Sequence, residues 1–580
     1  MKKIQKMLLL IVATFMMITG VNAAETLQSK IDAGDKTIIL DSNYNEDITI
    51  NENQNITIDL NGYTLSGNII DLGTLTIKSS KAGGKVILPE SMSVGAYDVN
   101  KETKKVEREL AGKFTLESGT IEVADDYGIY CMSGSTAIIN GGEINSLYAP
   151  LTGNNTTGAM NFIITNGTLT AKKGPAIYMP GPVALTISGG TLNGGVSLRM
   201  GKVNISGGTI NAITEGIDFV KDNYSYSGNV WFEDAFYVIG GTYNTDIKGE
   251  TNILDLNITG GTFNNTNKYG SAVAIYDMGK VAQEMRINIS GNAKLTTNST
   301  TRNAYDVLTL TEVGVTNIKA GYNNPEYVGK VSTTITGGTY SSSVAKYVPS
   351  EYVENKVNNE YIVAKKEVKV DTPTIDTTKP VEEVTIGVKE DKNLNDALKE
   401  ALKDSKIDVS DISAIILVEI TNQKESEVPT EATNSINNLA KENGKIKLLS
   451  FFDITLAVKN NVTGEALGTL TELNNKIQFN MALPENLTKV EEGYTRKYYI
   501  VRYHDGKSEM IPATVDGNVI TFESDKFSTY ALAYEDTKNS NIENPPTSDT
   551  IMTSVVLGTI SIAGIVLVTR SMAKRKKNVK

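Results

Sequence analysis

The sequence predicts a mainly β chain, a parallel β-helix solenoid followed by a β-sandwich-like module with short helices. Three observations carry this. A phrase of the form aliphatic, Ser or Thr, Gly, Gly, Thr, apolar recurs along residues 116–340. Between its copies apolar and polar residues alternate, as in strands with one buried face. Beyond residue 385 the glycine corners stop, and helical patterns enter among longer strands.

The phrase is clearest at residues 187–192 (ISGGTL) and 205–210 (ISGGTI), eighteen residues apart. Further copies start at Leu116 (LESGTI), Ile139 (INGGEI), Ile164 (ITNGTL), Ile239 (IGGTY), Ile258 (ITGGTF) and Ile335 (ITGGTY). Ile289 (ISGN) starts a weaker one. Most neighbours lie 18 to 25 residues apart, the period of a solenoid. Leu185 and Ile187 alternate with polar neighbours, and so do Val196, Leu198 and Met200, then Val203 and Ile205. Glycine at a corner accepts positive φ without a Cβ clash. A helical solenoid would need 3.6-residue periodicity and few glycines. Stacked β coils place like residue above like, so Ile and Val ladders are expected inside residues 38–347.

With these corners, an opening coil at residues 59–65 (DLNGYTL) and a closing one at 338–348, the region resembles the pectin-lyase-like right-handed β-helix of Gram-positive surface proteins. The resemblance implies a fold and leaves activity open.

The ends imply export and anchoring. Lys2, Lys3 and Lys6 precede an apolar run and the small residues Val21-Asn22-Ala23. Residues 1–23 read as a secretory signal peptide, with an N-terminal anchor as the alternative. Residues 551–569 are uncharged and about one bilayer core long, as a transmembrane segment requires. The tail 570–580 carries Arg570, Lys574, Arg575, Lys576 and Lys577, a cluster that stays cytoplasmic. In the linker 537–549, Asn544, Pro545, Pro546, Thr547, Ser548 and Asp549 resemble the sortase sorting signal of Gram-positive surface proteins. Asn and Ser stand where Leu and Gly are usual. The resemblance implies cleavage between Thr547 and Ser548 and transfer of Thr547 to the cell wall. Sortase and peptidoglycan are then the expected partners. The alternative is a protein that keeps its membrane helix.

Composition narrows the function. Cys131 is the only cysteine among 580 residues, so no intrachain disulfide framework exists. Removing the three leader lysines and the net five positive charges after Thr547 takes the formal charge from −11 to −19. With no basic patch visible, nucleic acid is not an expected partner. A polyanionic glycan would be repelled unless metal ions intervened.

Residues 365–384 are rich in Thr, Pro and charge and read as a linker or a leading strand. In the module at 385–536, Leu394, Ala397, Leu398 and Leu402 give residues 393–406 a helical apolar face. A second short helix is expected at 434–443. Strands are expected at 447–459, 476–483, 497–503, 518–523 and 529–534, a β-sandwich with appended helices. Residues 499–507 (YIVRYHDGK) and 525–531 (DKFSTYA) resemble a wall-proximal module of Gram-positive surface proteins, implying a spacer or stalk. His504 is the only histidine. It precedes Asp505-Gly506, a hairpin-turn signal, and reads as an exposed turn residue.

The solenoid has no histidine, so Ser-His or Cys-His nucleophiles are excluded there. No zinc ligand set and no phosphate-binding loop occurs, and no cofactor or metal is expected. Asp125 and Asp126 are adjacent, and adjacent strand residues point to opposite faces, a poor catalytic dyad. Tyr130, Tyr178 and Tyr276 recur in GIYCM, AIYM and AIYDM. They either face outward as a ladder that stacks on sugar rings or face inward as packing. Arg199 and Asp218 fall at outward positions if Leu198 and Phe219 point in, forming a cross-coil ion pair or a glycan contact. Two functions therefore stand. The first is a non-enzymatic surface protein for adhesion or glycan binding, with a host or environmental glycan or protein as ligand. The second is a wall-anchored polysaccharide lyase or glycoside hydrolase using carboxylates. A groove of several Asp with a nearby Arg or Lys favours the second; a face of Tyr, Asn and Thr ladders favours the first.

Overall fold

A computed structural model describes residues 26–99, 102–103, 106–153, 159–213, 232–240, 253–277, 284–309, 330–372, 385–388, 392–483 and 488–539. The segments expected as signal peptide (1–23), sorting motif (544–549), membrane span (551–569) and tail (570–580), together with Asp218, lie outside the described residues. Among the described residues no helix is long and apolar enough to cross a membrane.

The first unit is a parallel β-helix. Among the described residues, nineteen strands form one curled parallel sheet and thirteen form a second, whose last two members pair antiparallel. Each strand pairs with its equivalent in the next coil, so side chains stack in rows. One interior row runs Ile38, Ile58, Ile77, Leu116, Ile139, Ile164, Ile187, Ile205, Ile258, Ile289, Ile335. Every rung is buried, and burial of such a side chain contributes roughly 1.5–3 kcal/mol. A second row alternates size where the core demands it: Phe114, Ala137 and Phe162 are successive rungs, so one small residue makes room for two rings. A third row starts at Tyr44 and ends at Tyr340.

The repeated phrase is explained at its glycines. A Cβ on Gly189 or Gly207, the first of each pair, would lie 2.1 or 2.3 Å from the carbonyl oxygen of Thr165 or Ser188 in the coil before. The second glycines, Gly190 and Gly208, have φ of 81° and 85°, where an L side chain is strained. The following Thr191 and Thr209 N–H groups donate to Gly167 and Gly190 of the preceding coil at 2.8 and 2.9 Å. Both glycines are thus required by stacking itself. The copy at Ile239 does not belong to this set. Ile239 pairs with Tyr276, and the rung after Ile205 is Ile258.

Both ends of the solenoid are closed. The helix Leu27–Asp32 covers the first coil with buried Leu27 and Ile31, and Thr26 caps it by accepting from Ser29 N at 3.0 Å. Glu46 Oε1 accepts from Leu27 N at 2.7 Å, and the Gln28 side chain bonds the Thr49 backbone in both directions. At the far end an antiparallel hairpin, Tyr352–Val357 with Glu360–Lys365, stops the parallel stack. Closed ends remove the free edges on which strands from other chains add.

The interval 365–384 is not a plain linker. Lys365 ends that hairpin, and Val368–Asp371 is a strand paired in parallel with Ala414–Gln423; residues 373–384 lie outside the described residues. The second unit has two sheets. One is ordered Val368–Asp371, Ala414–Gln423, Lys447–Asn460, Thr529–Lys538, Tyr494–His504, Lys507–Ile511, with Ala466–Leu470 also on Lys447–Asn460. The other is ordered Thr385–Val388, Glu472–Ala482, Val519–Lys526, Ala513–Asp516. Between them Phe452 stacks on Tyr530 at 5.3 Å and Phe479 on Phe522 at 5.2 Å. The helix Lys392–Asp404 adds Leu394, Leu398 and Leu402 to the same core. The helix Thr430–Glu442 covers the opposite face of the larger sheet with Ala432 and Ile436.

Candidate ligand-binding face

The strands that place Ile129 and Ile177 inside turn the next residue outward. One outer row therefore reads Ser93, Tyr130, Thr152, Tyr178, Ser197, Tyr237, Ala274, Asp306. Tyr130 and Tyr178 are half-buried on this face. They stand two coils apart, about 9.6 Å at the ordinary strand spacing.

The corner beside Tyr130 adds two more rings. Tyr127 meets Tyr130 edge-on at 6.3 Å and Tyr148 at 5.3 Å, and all three are half-buried. Asp126 holds this corner. Burial pushes its carboxyl up, but hydrogen bonds from the Ser91 hydroxyl at 2.6 Å and from the Tyr127 and Ser91 N–H groups hold it below the ordinary carboxylate range. Asp125 is exposed in the same bend. The two aspartates sit at a corner and not on a strand, and Asp126 acts as an anchor for the loop at Ser91.

Amide ladders lie on the outer faces. Asn193 donates to Thr170 Oγ1 at 3.3 Å, Asn211 to Asn193 at 2.9 Å and Asn264 to Asn211 at 3.1 Å, and Thr296 donates to Asn264 at 2.9 Å. A second ladder runs from Asn288 to Asn257 at 3.1 Å and from Asn257 to Asn204 at 3.3 Å. It grows from the far end of the long strand Val196–Ile205, which also carries Ser197. The rows present hydroxyls and amides at every coil.

Tyr276 does not stand in this row and follows the packing alternative. The row partner of Tyr237 is Ala274, and Tyr276 lies two residues further on. Its side chain is buried against Phe232 at 4.9 Å, and its hydroxyl donates to Asp234 Oδ2 at 2.6 Å. It packs and does not meet solvent. Arg199, expected to point outward, is buried at 3% exposure, and its charge acts on the Tyr237 hydroxyl. The expected pair with Asp218 falls outside the described residues.

The carboxylates that gather on the solenoid are also internal. Asp234 and Asp306 are 1% and 5% exposed. Asp234 accepts from Ser271 N at 2.6 Å and from Tyr276; Asp306 accepts from Ser271 Oγ at 2.9 Å and from Asn303 N and Nδ2 at 2.8 and 2.7 Å. Burial pushes Asp234 up to about 6 against the hydrogen bonds of Tyr276 and Ser271 and the charge of Arg302. This is a cross-coil structural network closed to a polymer substrate. Cys131 is buried in the core, where burial and then the Asp71 charge push its thiol up, so it is inert as a nucleophile.

Tyr127, Tyr148 and Tyr237 were not anticipated, nor was the longer amide ladder. That ladder did leave a signal: the corner phrase extends to Gly-Gly-Thr-apolar-Asn at Asn193, Asn211 and Asn264. No protein-family model, curated protein or solved structure matches the chain.

Proposed function

We propose that the chain is a non-enzymatic protein of the Gram-positive cell surface that binds an uncharged glycan along the outside of its β-helix. One observation carries the reading: half-exposed Tyr130 and Tyr178 share a single outer row, with Tyr127 and Tyr148 beside them. Aromatic faces take the apolar faces of sugar rings, and the Asn and Thr rows elsewhere on the outer faces supply hydroxyl-compatible hydrogen bonds. The acidic balance of the chain disfavours a polyanion. The solenoid is of the pectin-lyase-like kind in this reading, used as a scaffold.

Tyr130→Ala with Tyr178→Ala should weaken binding to the hits of a glycan array by about tenfold or more, equivalent to about 1.4 kcal/mol. The melting temperature should hold within a few degrees. Unchanged array binding sinks the tyrosine face as the site. Release of new reducing ends or unsaturated products from a bound polysaccharide would instead favour the lyase or hydrolase.

Anchoring rests on the sequence. Pro545-Pro546-Thr547, an uncharged span and a basic stop stand in the order of a sorting signal, and the span with its stop holds the motif at the outer membrane surface. Sortase then joins Thr547 to peptidoglycan. The protein should leave cells with peptidoglycan hydrolases and not with mild detergent, and Thr547→Ala should retain it in the membrane fraction. A wild-type chain that extracts in detergent with Lys580 in place would show a plain membrane anchor.

A further inference from the structure

We propose that His504, Glu472 and Asp505 form a divalent transition-metal site of the Zn²⁺ class that ties together the two sheets of the second unit. The three residues come from two places in the chain. His504 ends the strand Tyr494–His504 of the larger sheet. Asp505 and Gly506 follow with φ of 47° and 79°, a left-handed pair that folds the chain back tightly. Glu472 starts Glu472–Ala482 of the smaller sheet.

Their ligand atoms converge. His504 Nε2 lies 3.1 Å from Glu472 Oε1 and 3.5 Å from Asp505 Oδ2, and one ligand atom from each lies within 4.8 Å of the others. A four-coordinate ion with bonds of about 2.0–2.2 Å separates its ligand atoms by about 3.3–3.6 Å. The measured distances from the imidazole bracket the lower end of that range. One nitrogen and two carboxylates suit Zn²⁺, Co²⁺ or Ni²⁺, whereas Ca²⁺ and Mg²⁺ take oxygen alone.

The exposure of the groups is also suited to an ion. Contrary to the expectation of an exposed turn residue, the His504 side chain is only 9% exposed, against 52% for Glu472 and 83% for Asp505. A fixed imidazole with two adjustable carboxylates leaves open positions for water. Lys526 Nζ stands 3.4 Å from Glu472 Oε1 and pairs with it in register. Its ammonium is a competitor for the same carboxylate, and at 40% side-chain exposure it has room to swing away. An ion here would join an edge of the smaller sheet to a hairpin of the larger one, and it would stabilise the fold by mass action.

The test uses the full chain purified in mild detergent, titrated with Co²⁺ and then displaced with Zn²⁺. One Co²⁺ per chain should bind with the visible spectrum of a low-symmetry site, and Zn²⁺ should raise the melting temperature where Mg²⁺ does not. His504→Gln retains a hydrogen-bonding group toward Glu472 and should fold normally in chelator while losing the spectrum. Glu472→Gln and Asp505→Asn should each weaken binding about tenfold or more, and Lys526→Ala should tighten it severalfold. The proposal is overturned if wild type shows no one-to-one Co²⁺ spectrum, or if the folded His504→Gln chain binds as tightly.

Discussion

Aspartate in place of Ile205 breaks the solenoid at its middle. Ile205 is 1% exposed and stacks between Ile187 and Ile258. The change removes an apolar side chain worth roughly 1.5–3 kcal/mol. It also leaves a carboxyl between isoleucines above and below, where a buried polar group without a hydrogen bond costs several kcal/mol more. The sum, about 5 kcal/mol, is comparable to the whole stability of a small domain. Stability in a solenoid is a sum over neighbouring coils, so the damage should centre there. Limited proteolysis should open first between residues 185 and 265, and the urea midpoint should drop steeply. Ile205→Val should cost only about 0.5–1.5 kcal/mol. An Ile205→Asp chain that melts beside wild type would refute the ladder.

The second large effect is a stability that falls as pH rises, with Asp71 as its main source. Asp71 sits in an interior row with Ile50, Val94 and Cys131 and is fully buried. Its Oδ1 accepts from Gly73 N at 3.0 Å, and its Oδ2 has no hydrogen-bond partner. Burial outweighs the backbone hydrogen bonds and raises its pKa from 3.8 to about 7. A carboxyl raised on folding binds more protons in the native than in the unfolded state between these values. The penalty is therefore absent below about pH 4, grows through the interval and is complete above about pH 7. The difference corresponds to about 4 kcal/mol. Asp234, raised to about 6, adds to the same slope. Asp71→Asn keeps the Gly73 acceptor and removes the charge. It should match wild type near pH 4 and exceed it by up to about 4 kcal/mol at pH 8. Parallel pH profiles of the two chains in urea would expose an error in this assignment.

How far the sequence carried the fold is clear from particular residues. The strand phrase placed Ile187 and Ile205 in one interior row, because stacking demands the same corner in every coil. The helix expected at 393–406 is Lys392–Asp404, since the spacing of Leu394, Leu398 and Leu402 admits one face. The second helix, expected at 434–443, starts earlier at Thr430. Ala414–Gln423 was not anticipated as a strand, although AIILVEIT alternates in burial over its first half. Its first five residues are all apolar, so the sequence itself shows no two-residue period there.

The site was less legible. Alternation left Tyr130, Tyr178 and Tyr276 open between an outward ladder and inward packing; in the structure Tyr130 and Tyr178 are half-buried on the outer row and Tyr276 is packed away. The matching AIY strings concealed a two-residue shift in register. The Ile239 copy failed likewise. Strings identify coils, whereas register follows from which interior residues fill the rung, and Val273 takes the place that Ile177 fills three coils earlier.

The sequence by itself determined the alternation, the corners and the inner ladders, all local patterns read within a few residues. Tertiary structure alone decided which outward groups meet solvent. Arg199 and Tyr276 point away from the ladder core yet are covered, while Tyr130 and Tyr178 are half open. Coverage depends on groups dozens of residues away, as Asp234 over Tyr276 shows, and no local period encodes that distance. The same holds for His504 and Glu472, which are brought together only by the packing of one sheet edge against another.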